Sequence, residues 1–223
     1  MKKAFAIAAI AGFGSIAAAG IADVRITEAF VGLSGEDGTE DWFEITNLGA
    51  AAIDTSMFWY DDDSASVADG GQLGSFSLAA GESMIFIISD DNGANDDVTY
   101  TSAIEEFQTI WNYSGQIGIT NGGGGLGQSG DEIFLLLGDN SVVTSQATPG
   151  SLSGGLATID TFASPTSSVL GVNGAYESIA FFNDNLGVPG NMISLIGSPG
   201  SVPTPGPIAL LALGTLAGAR RRR

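Results

Sequence analysis

The 223-residue chain contains no cysteine and no histidine. Without cysteine, no disulfide bond supports the fold, even in an oxidising compartment. Without both residue types, the usual zinc ligands, thiol nucleophiles and imidazole bases are excluded, and so is a Ser-His-Asp triad. Paired carboxylates remain for glycoside hydrolysis, but nothing in the sequence places two of them in an apolar cleft. The sequence therefore predicts a protein that is not an enzyme.

Basic residues are almost absent from the body of the chain. All 25 acidic residues lie between Asp23 and Asp184, and Arg25 is the only basic residue between the two termini. This body carries one arginine against 25 acidic side chains, a formal charge of −24. Nucleic acid is excluded as a partner because no basic patch exists to neutralise phosphate. High acidity serves solubility and also suits cations, including calcium that bridges to acidic polysaccharide.

The N-terminus has the three parts of a secretory signal peptide. A basic head, Met1–Lys3, is followed by an apolar segment that ends in small residues. Signal peptidase would cut after Ala19 or after Ala22, and the sequence does not choose between them. We expect residues 1–22 to form a signal helix that is removed on export. An uncleaved membrane anchor is the alternative, and the shortness of the apolar segment argues against it.

Residues 201–223 join a proline motif, an apolar run and a basic end. The apolar run, Ile208–Ala219, is uncharged and is followed by four arginines. Twelve helical residues span roughly 18 Å, short of the roughly 30 Å hydrocarbon core of a bilayer. Four arginines favour the cytoplasmic side of the membrane. We expect a short hydrophobic helix that makes a weak, transient contact with the inner membrane.

This arrangement resembles the PEP-CTERM sorting signal, which exosortase enzymes recognise in bacteria that make exopolysaccharide. The family pattern is Val-Pro-Glu-Pro, and this chain has Thr204 where the family usually has Glu. The resemblance implies an exosortase-like processing enzyme as partner and a place at the cell surface or outside the cell after C-terminal processing. An uncut, tail-anchored envelope protein is the alternative. The residues of the sorting motif are Val202, Pro203, Thr204, Pro205, Arg220, Arg221, Arg222 and Arg223.

The interior of the chain has the residue patterns of β-strands. Val24–Glu28 and Trp42–Thr46 alternate apolar and polar residues, which predicts strands with one face in water. Ser83–Ile88 and Glu132–Leu137 are continuous apolar runs of strand length, typical of strands that are buried on both faces. The glycine-rich turns between such runs suit an antiparallel β-sandwich.

Two further local structures are predicted. Gly138–Ser141 is a turn that leads into Val142–Thr144, which predicts a hairpin with the preceding strand. Ser102–Trp111 is compatible with a short helix or a turn. The fold class predicted for residues 23–200 is therefore all-β, with the two terminal helices on either side.

The strand motifs follow one another in a characteristic order. The segments concerned are Ile26–Glu28, Trp42–Asn47, Ile53–Asp54, Phe58–Asp62, Leu78–Glu82, Gly125–Leu135, Tyr176–Ile179 and Gly197–Gly200. This order resembles the lamin-tail domain, whose first strands carry Ile-x-Glu and Trp-Ile-Glu-Leu-Tyr-Asn. The resemblance covers residues 23–200 and implies an immunoglobulin-like antiparallel β-sandwich that serves as an interaction or surface module.

Acidic loops are the best candidates for a metal site. Calcium needs six to eight oxygen ligands, and loops rich in Asp and Asn supply carboxylates and carbonyls. Neither loop fits the EF-hand pattern, so a solvated acidic loop is the competing interpretation. The candidate ligands are Asp61, Asp62, Asp63, Asp90, Asp91, Asp96 and Asp97.

Other polar and glycine-rich positions have simpler interpretations. Glu28 and Glu44 stand on predicted strands, where a carboxylate either caps turn amides or faces water. Asn121–Gly127 is rich in glycine, but no Lys-Ser/Thr follows it and the surrounding charge is negative. We interpret it as a flexible loop and not as a phosphate-binding loop.

Two functions of different classes fit these observations. One is a secreted, exosortase-sorted surface or matrix protein whose sandwich binds polysaccharide, a surface or another protein. The other is a purely structural, acidic matrix component with no specific ligand. Saturable binding of a glycan or of calcium would separate the two.

Overall fold

The structure is a computed structural model that describes residues 23–32, 39–89, 100–120, 122–127, 129–149, 157–161, 165–182 and 192–201. The predicted signal peptide and sorting motif lie outside these residues. Within them the chain forms one α-helix, α1 (Ala103–Trp111), and a 3-10 turn at Thr55–Met57. The strands are β1 (Val24–Phe30), β2 (Asp41–Asn47), β3 (Ile53–Asp54), β4 (Phe58–Asp61), β5 (Gly71–Gln72), β6 (Ser77–Leu78), β7 (Ser83–Ile88), β8 (Ile117–Thr120), β9 (Gly130–Leu137), β10 (Val142–Pro149), β11 (Ile159–Asp160), β12 (Thr166–Ser167), β13 (Tyr176–Glu177), β14 (Phe181–Phe182), β15 (Met192–Ile193) and β16 (Ile196–Gly197).

Two sheets contain most of the strand residues, and the predicted all-β class is confirmed. The larger sheet has six strands in the order β12-β11-β1-β2-β7-β8, and the smaller has four in the order β10-β9-β4-β5. Their neighbouring strands are antiparallel, except that β7 and β8 are parallel. Two parallel strands need a long crossover connection. The segment that joins β7 to β8 provides one and contains α1.

The two sheets pack face to face around an apolar core. Phe43 and Phe86 of the six-stranded sheet and Tyr60 and Leu135 of the four-stranded sheet belong to one buried cluster. The ring of Phe43 stacks on Tyr60 at a centroid distance of 5.1 Å and on Phe86 at 5.7 Å. Removal of this apolar surface from water is the main stabilising contribution to such a core.

The outer face of the six-stranded sheet is also covered. Trp42 of β2 makes edge contacts with Phe107 at 5.2 Å and Trp111 at 6.1 Å, both from α1. All six residues of β7 are buried, as predicted for that strand. The expectation that β1 and β2 have one face in water is wrong, because α1 and the C-terminal strands form a further layer over that face.

Helix α1 confirms that residues 102–111 contain a short helix. The Oγ of Ser102 accepts a hydrogen bond from the backbone N–H of Glu105 at 3.2 Å, which caps the first turn. The helix ends at Asn112, which has the left-handed φ of 48°. In the part of the chain that the structure describes, no helix has the length and apolar character needed to span a membrane.

The predicted hairpin is present between β9 and β10. The backbone N–H of Leu137 donates to the carbonyl of Ser141 at 2.9 Å, and Asn140 in the turn has a φ of 67°. The apolar run of β9 is not buried along its whole length. Ile133, Leu135 and Leu136 are fully buried, whereas Phe134 and Leu137 are half-buried.

The glycine-rich loop packs against the four-stranded sheet within residues 122–127. The hydroxyl of Tyr60 donates to the carbonyl of Gly124 at 3.0 Å, and the side chain of Leu126 is buried. A Cβ at Gly123 would lie 2.6 Å from the Tyr60 ring, and the φ of Gly123 is +87°. The sequence indicated a flexible loop. In the structure, glycine at these positions also allows the loop to approach Tyr60 closely.

Candidate functional site

The structure brings three of the predicted calcium ligands together. Three carboxylate oxygens, one from each of Asp61, Asp62 and Asp63, lie within 4.8 Å of one another. Partial burial, followed by the charges of Asp131 and Asp63, raises the pKa of Asp62 to about 6. The other candidates, Asp90, Asp91, Asp96 and Asp97, lie outside the described residues, as does the sorting motif, residues 202–205 and 220–223.

Asp61 already has a structural role in this cluster. Its buried Oδ2 accepts hydrogen bonds from the backbone N–H of Ser64 at 3.0 Å, from the Ser64 hydroxyl at 2.8 Å and from the N–H of Ser66 at 3.0 Å. This is the hydrogen-bonding pattern of an aspartate that stabilises a turn. Calcium requires six to eight oxygen ligands, and the Oδ2 of Asp61 is already engaged in this turn.

A surface groove is the second candidate site. One depression of about 540 Å³ lies between the turn after β6 (residues 80–83), the end of α1 (residues 112–115) and residues 199–200, with Tyr176 at its side. A second depression, of about 260 Å³, shares Asn112 and Tyr176 with the first. Together they form what we call the Tyr176 groove, in which Tyr176 lies between two adjoining compartments.

The aromatic walls of the Tyr176 groove are held in fixed positions. The hydroxyl of Tyr176 donates to the backbone carbonyl of Trp111 at 2.9 Å, and its ring meets the Trp111 ring edge-on at 5.8 Å. Tyr113 meets Phe107 edge-on at 5.5 Å and packs against Gly200, where an added Cβ would lie 2.8 Å from the ring. Burial raises the pKa of Tyr176 to about 12 and raises that of Tyr113 as well, so both phenols stay neutral.

Asn112 supplies a polar group at the centre of the groove. Its backbone N–H caps α1 by donating to the carbonyls of Gln108 and Thr109, and its side chain is exposed. Among the described residues, no protein group is hydrogen-bonded to its side-chain amide. That amide can therefore donate to and accept from a ligand in either compartment.

A pair of buried carboxylates lies behind the wall of the groove. Glu28 and Glu44 face each other across β1 and β2, and each is 1% exposed. Glu28 Oε1 accepts hydrogen bonds from the Thr158 hydroxyl and from the backbone N–H of Ser198, the latter at 2.7 Å. Glu44 Oε2 accepts from the backbone N–H of Gly200 at 2.5 Å. Of the two interpretations open from the sequence, these glutamates therefore cap turn amides and do not face water.

Burial controls the ionisation of this pair. Loss of solvent raises the pKa of Glu28 to about 7, although the hydrogen bonds from Thr158 and Ser198 act in the opposite direction. Burial, and then the neighbouring charge of Glu28, raises the pKa of Glu44 to about 8. Near neutral pH the pair therefore retains a proton, because two adjacent buried charges are costly without a cation.

Sequence reasoning did not find the Tyr176 groove. Asn112 and Tyr113 carry no motif, and Tyr176 belongs only to the Tyr176–Ile179 segment of the lamin-tail resemblance, so no pattern in the sequence joins these positions. The only local signal is Asn112 directly after a predicted helix, where asparagine favours the left-handed cap. Its meeting with Tyr176 and Gly200 depends on how the C-terminal strands cross the outer face of the sheet.

The raised pKa values of Glu28 and Glu44 make stability depend on pH. The folded protein binds more protons than the unfolded chain between about pH 4.5 and 8, so the free energy of unfolding should fall as pH rises through this range. We expect a loss on the order of a few kcal/mol between pH 5 and pH 9. Urea denaturation at a series of pH values measures it. Glu44→Gln should flatten the curve and the exposed Glu177→Gln should not, whereas a wild-type curve that is flat or rises would contradict the burial effect.

The turn formed by Asp61 can be tested by comparison with its neighbour. Asp61→Asn replaces a buried carboxylate that accepts three hydrogen bonds, so we expect a loss of about 1–3 kcal/mol in the free energy of unfolding. Asp63→Asn is the control, because Asp63 is exposed and removal of its charge relieves repulsion. Both are measured by urea denaturation in the presence of EDTA. Equal stability of the two variants would show that the turn does not depend on Asp61.

The chain was also compared with known proteins. No family model, no curated protein and no solved structure gives a significant match to it.

Proposed function

We propose that this is an exported, acidic surface or matrix protein whose β-sandwich is a non-catalytic module that binds polysaccharide in the Tyr176 groove. The observation that supports the proposal is the combination in one open groove of two fixed tyrosine rings with the exposed amide of Asn112, which has no hydrogen-bond partner among the described residues. Sugar rings present apolar C–H faces and hydroxyl groups. Aromatic walls with a few polar groups are the usual composition of small-molecule sites and suit such ligands.

Charge favours a neutral polysaccharide. The body carries one arginine against 25 acidic residues, and Glu82 and Glu177 border the groove. A uronic acid or sulfated polymer would meet like charge and would bind only with a bridging cation. A neutral polymer avoids that repulsion, and the two compartments on either side of Tyr176 suit an extended chain.

The carboxylates near the groove support binding without catalysis. Glu82 Oε2 accepts from the backbone N–H of Ala79 at 2.7 Å, and Glu82 Oε1 accepts from the Gln116 side chain at 3.0 Å. Both of its oxygens are therefore engaged in hydrogen bonds within the fold. Glu28 and Glu44 are buried behind the groove. Glycoside hydrolysis needs two carboxylates that flank the scissile bond. The two that border the groove, Glu82 and Glu177, line different compartments, which argues against it.

The proposal extends to the fold family and to sorting. Two sheets packed around one core support an immunoglobulin-like, lamin-tail-like module. Export through the signal peptide and release by an exosortase-like enzyme at residues 202–205 are inferred from the sequence pattern. The last described residues are consistent with this, because Ser198 and Gly200 are bonded to the sandwich directly before the motif.

Asn112→Gly tests the groove without disturbing the helix cap. Glycine adopts the left-handed φ of this position freely, so we expect stability to be unchanged or slightly higher while glycan binding falls about tenfold or more. Binding of the full chain to a panel of neutral and acidic polysaccharides is measured by a glycan array and by titration of any positive ligand. Uniformly negative results for the wild type would favour the purely structural matrix component.

The sorting proposal predicts a processed C-terminus. Mass spectrometry of the secreted protein should show a chain that ends near Pro203 or Pro205, because the sequence predicts that prolines keep this segment extended and open to a membrane enzyme. The same measurement should show the N-terminus at residue 20 or 23. Intact Arg220–Arg223 on protein recovered outside the cell would refute sorting by cleavage.

A further inference from the structure

The C-terminal segment is held to the sandwich by the two buried glutamates. The N–H of Ser198 donates to Glu28 and the N–H of Gly200 donates to Glu44, so neighbouring carboxylates hold two amides of one turn. A hydrogen bond from the N–H of Ser201 to the carbonyl of Ser198 closes this turn. We call residues 195–201 the C-terminal segment.

The main influences on the pKa of Glu28 and Glu44 include no cation. The charged and titratable groups that face the pair are Asp160 on β11, Tyr113 and Tyr176. The negative charge of Asp160 raises the pKa of Glu28, and both tyrosines are neutral. Glu28 Oε2 is fully buried and has no hydrogen-bond partner among the residues that the structure describes. An ionised carboxylate with an unpartnered oxygen is costly in such a site, so a proton on the pair is the simplest compensation.

A chain of hydroxyl groups connects this pair to the groove. The Ser83 hydroxyl bonds to Thr46 at 2.7 Å, Thr46 bonds to Thr27 at 2.8 Å, and Thr27 donates to Glu44 Oε1 at 2.6 Å. Ser83 itself lines the Tyr176 groove. Because each hydroxyl both donates and accepts, the chain can pass a proton from the groove to Glu44.

Two opposing effects decide how ionisation acts on the C-terminal segment. An ionised carboxylate accepts amide hydrogen bonds more strongly, which favours the closed segment. Desolvation and mutual repulsion disfavour two ionised groups, and they are the larger effect because burial raises both pKa values. By linkage, ionisation of both groups therefore favours a conformation in which water reaches them.

We propose that Glu28 and Glu44 form a proton-controlled latch, closed over the C-terminal segment while the pair holds a proton and opened when both groups ionise. Pro199 and Gly200 form one wall of the Tyr176 groove, so opening of the latch also opens the groove. The effect on glycan binding rests on the proposed function. The latch itself does not, and it is tested without any glycan.

Residue-resolved amide hydrogen exchange of the full chain tests the latch. The protection factors of Ser198 and Gly200, which correct for the intrinsic pH dependence of exchange, should fall about tenfold or more between pH 5 and pH 9. Amides of the core strand β7, which exchange only on global unfolding, should remain better protected than those of Ser198 and Gly200 at every pH. Unchanged protection of Ser198 and Gly200 across this range would overturn the proposal.

Matched variants and an experiment with added calcium complete the test. Glu44→Gln stays neutral at every pH and should keep Gly200 protected at pH 9, and Glu28→Gln provides the same test at Ser198. Glu177→Gln, an exposed change of the same charge, should behave as the wild type. The proposal fails if Glu177→Gln protects the amides of Ser198 and Gly200 at pH 9 as well as Glu44→Gln and Glu28→Gln do. It also fails if added calcium gives the wild-type protein at pH 9 the protection that it has at pH 5, because a bound cation and not a proton would then close the latch.

Discussion

Burial of Glu28 and Glu44 side by side is the constraint on which the outer layer of the molecule depends. Two adjacent buried carboxylates are tolerated only when protons and hydrogen bonds compensate for the lost water. Here the donors come from separate parts of the chain, namely Thr27, Thr158 and the amides of Ser198 and Gly200. The need to satisfy these oxygens therefore joins the C-terminal residues to the first two strands.

The six-stranded sheet consequently separates two different environments. Its inner face packs against the four-stranded sheet through aromatic and aliphatic side chains such as Phe43, Phe86 and Tyr60. Its outer face is divided, because Trp42 lies under α1 whereas Glu28 and Glu44 lie under the C-terminal segment. The apolar half is stabilised by burial of surface and the polar half by directional hydrogen bonds, which tie the position of the C-terminal segment to the protonation of the pair.

The Tyr176 groove is a consequence of this division. It forms where the apolar half of the outer face meets the polar half, at the end of α1 and beside Gly200. Tyr176 is anchored to the helix through Trp111, while Tyr113 packs against the C-terminal turn. One groove therefore combines rigid aromatic walls with a wall whose position depends on buried carboxylates.

Short-range patterns in the sequence determined much of the fold. The apolar run of β7 indicated a strand buried on both faces, and the Gly138–Ser141 turn indicated the hairpin, since each depends on neighbouring residues. For Ser102–Trp111 the sequence left a short helix and a turn open, and the structure has the helix. The absence of histidine and cysteine excluded the usual zinc ligands, thiol nucleophiles and imidazole bases from the sequence alone. Tertiary structure alone decided the parallel β7–β8 pair, the covered outer face and the groove. The alternation in β1 and β2 indicated two faces but not their surroundings, because a polar face is equally compatible with water and with a layer that hydrogen-bonds to it.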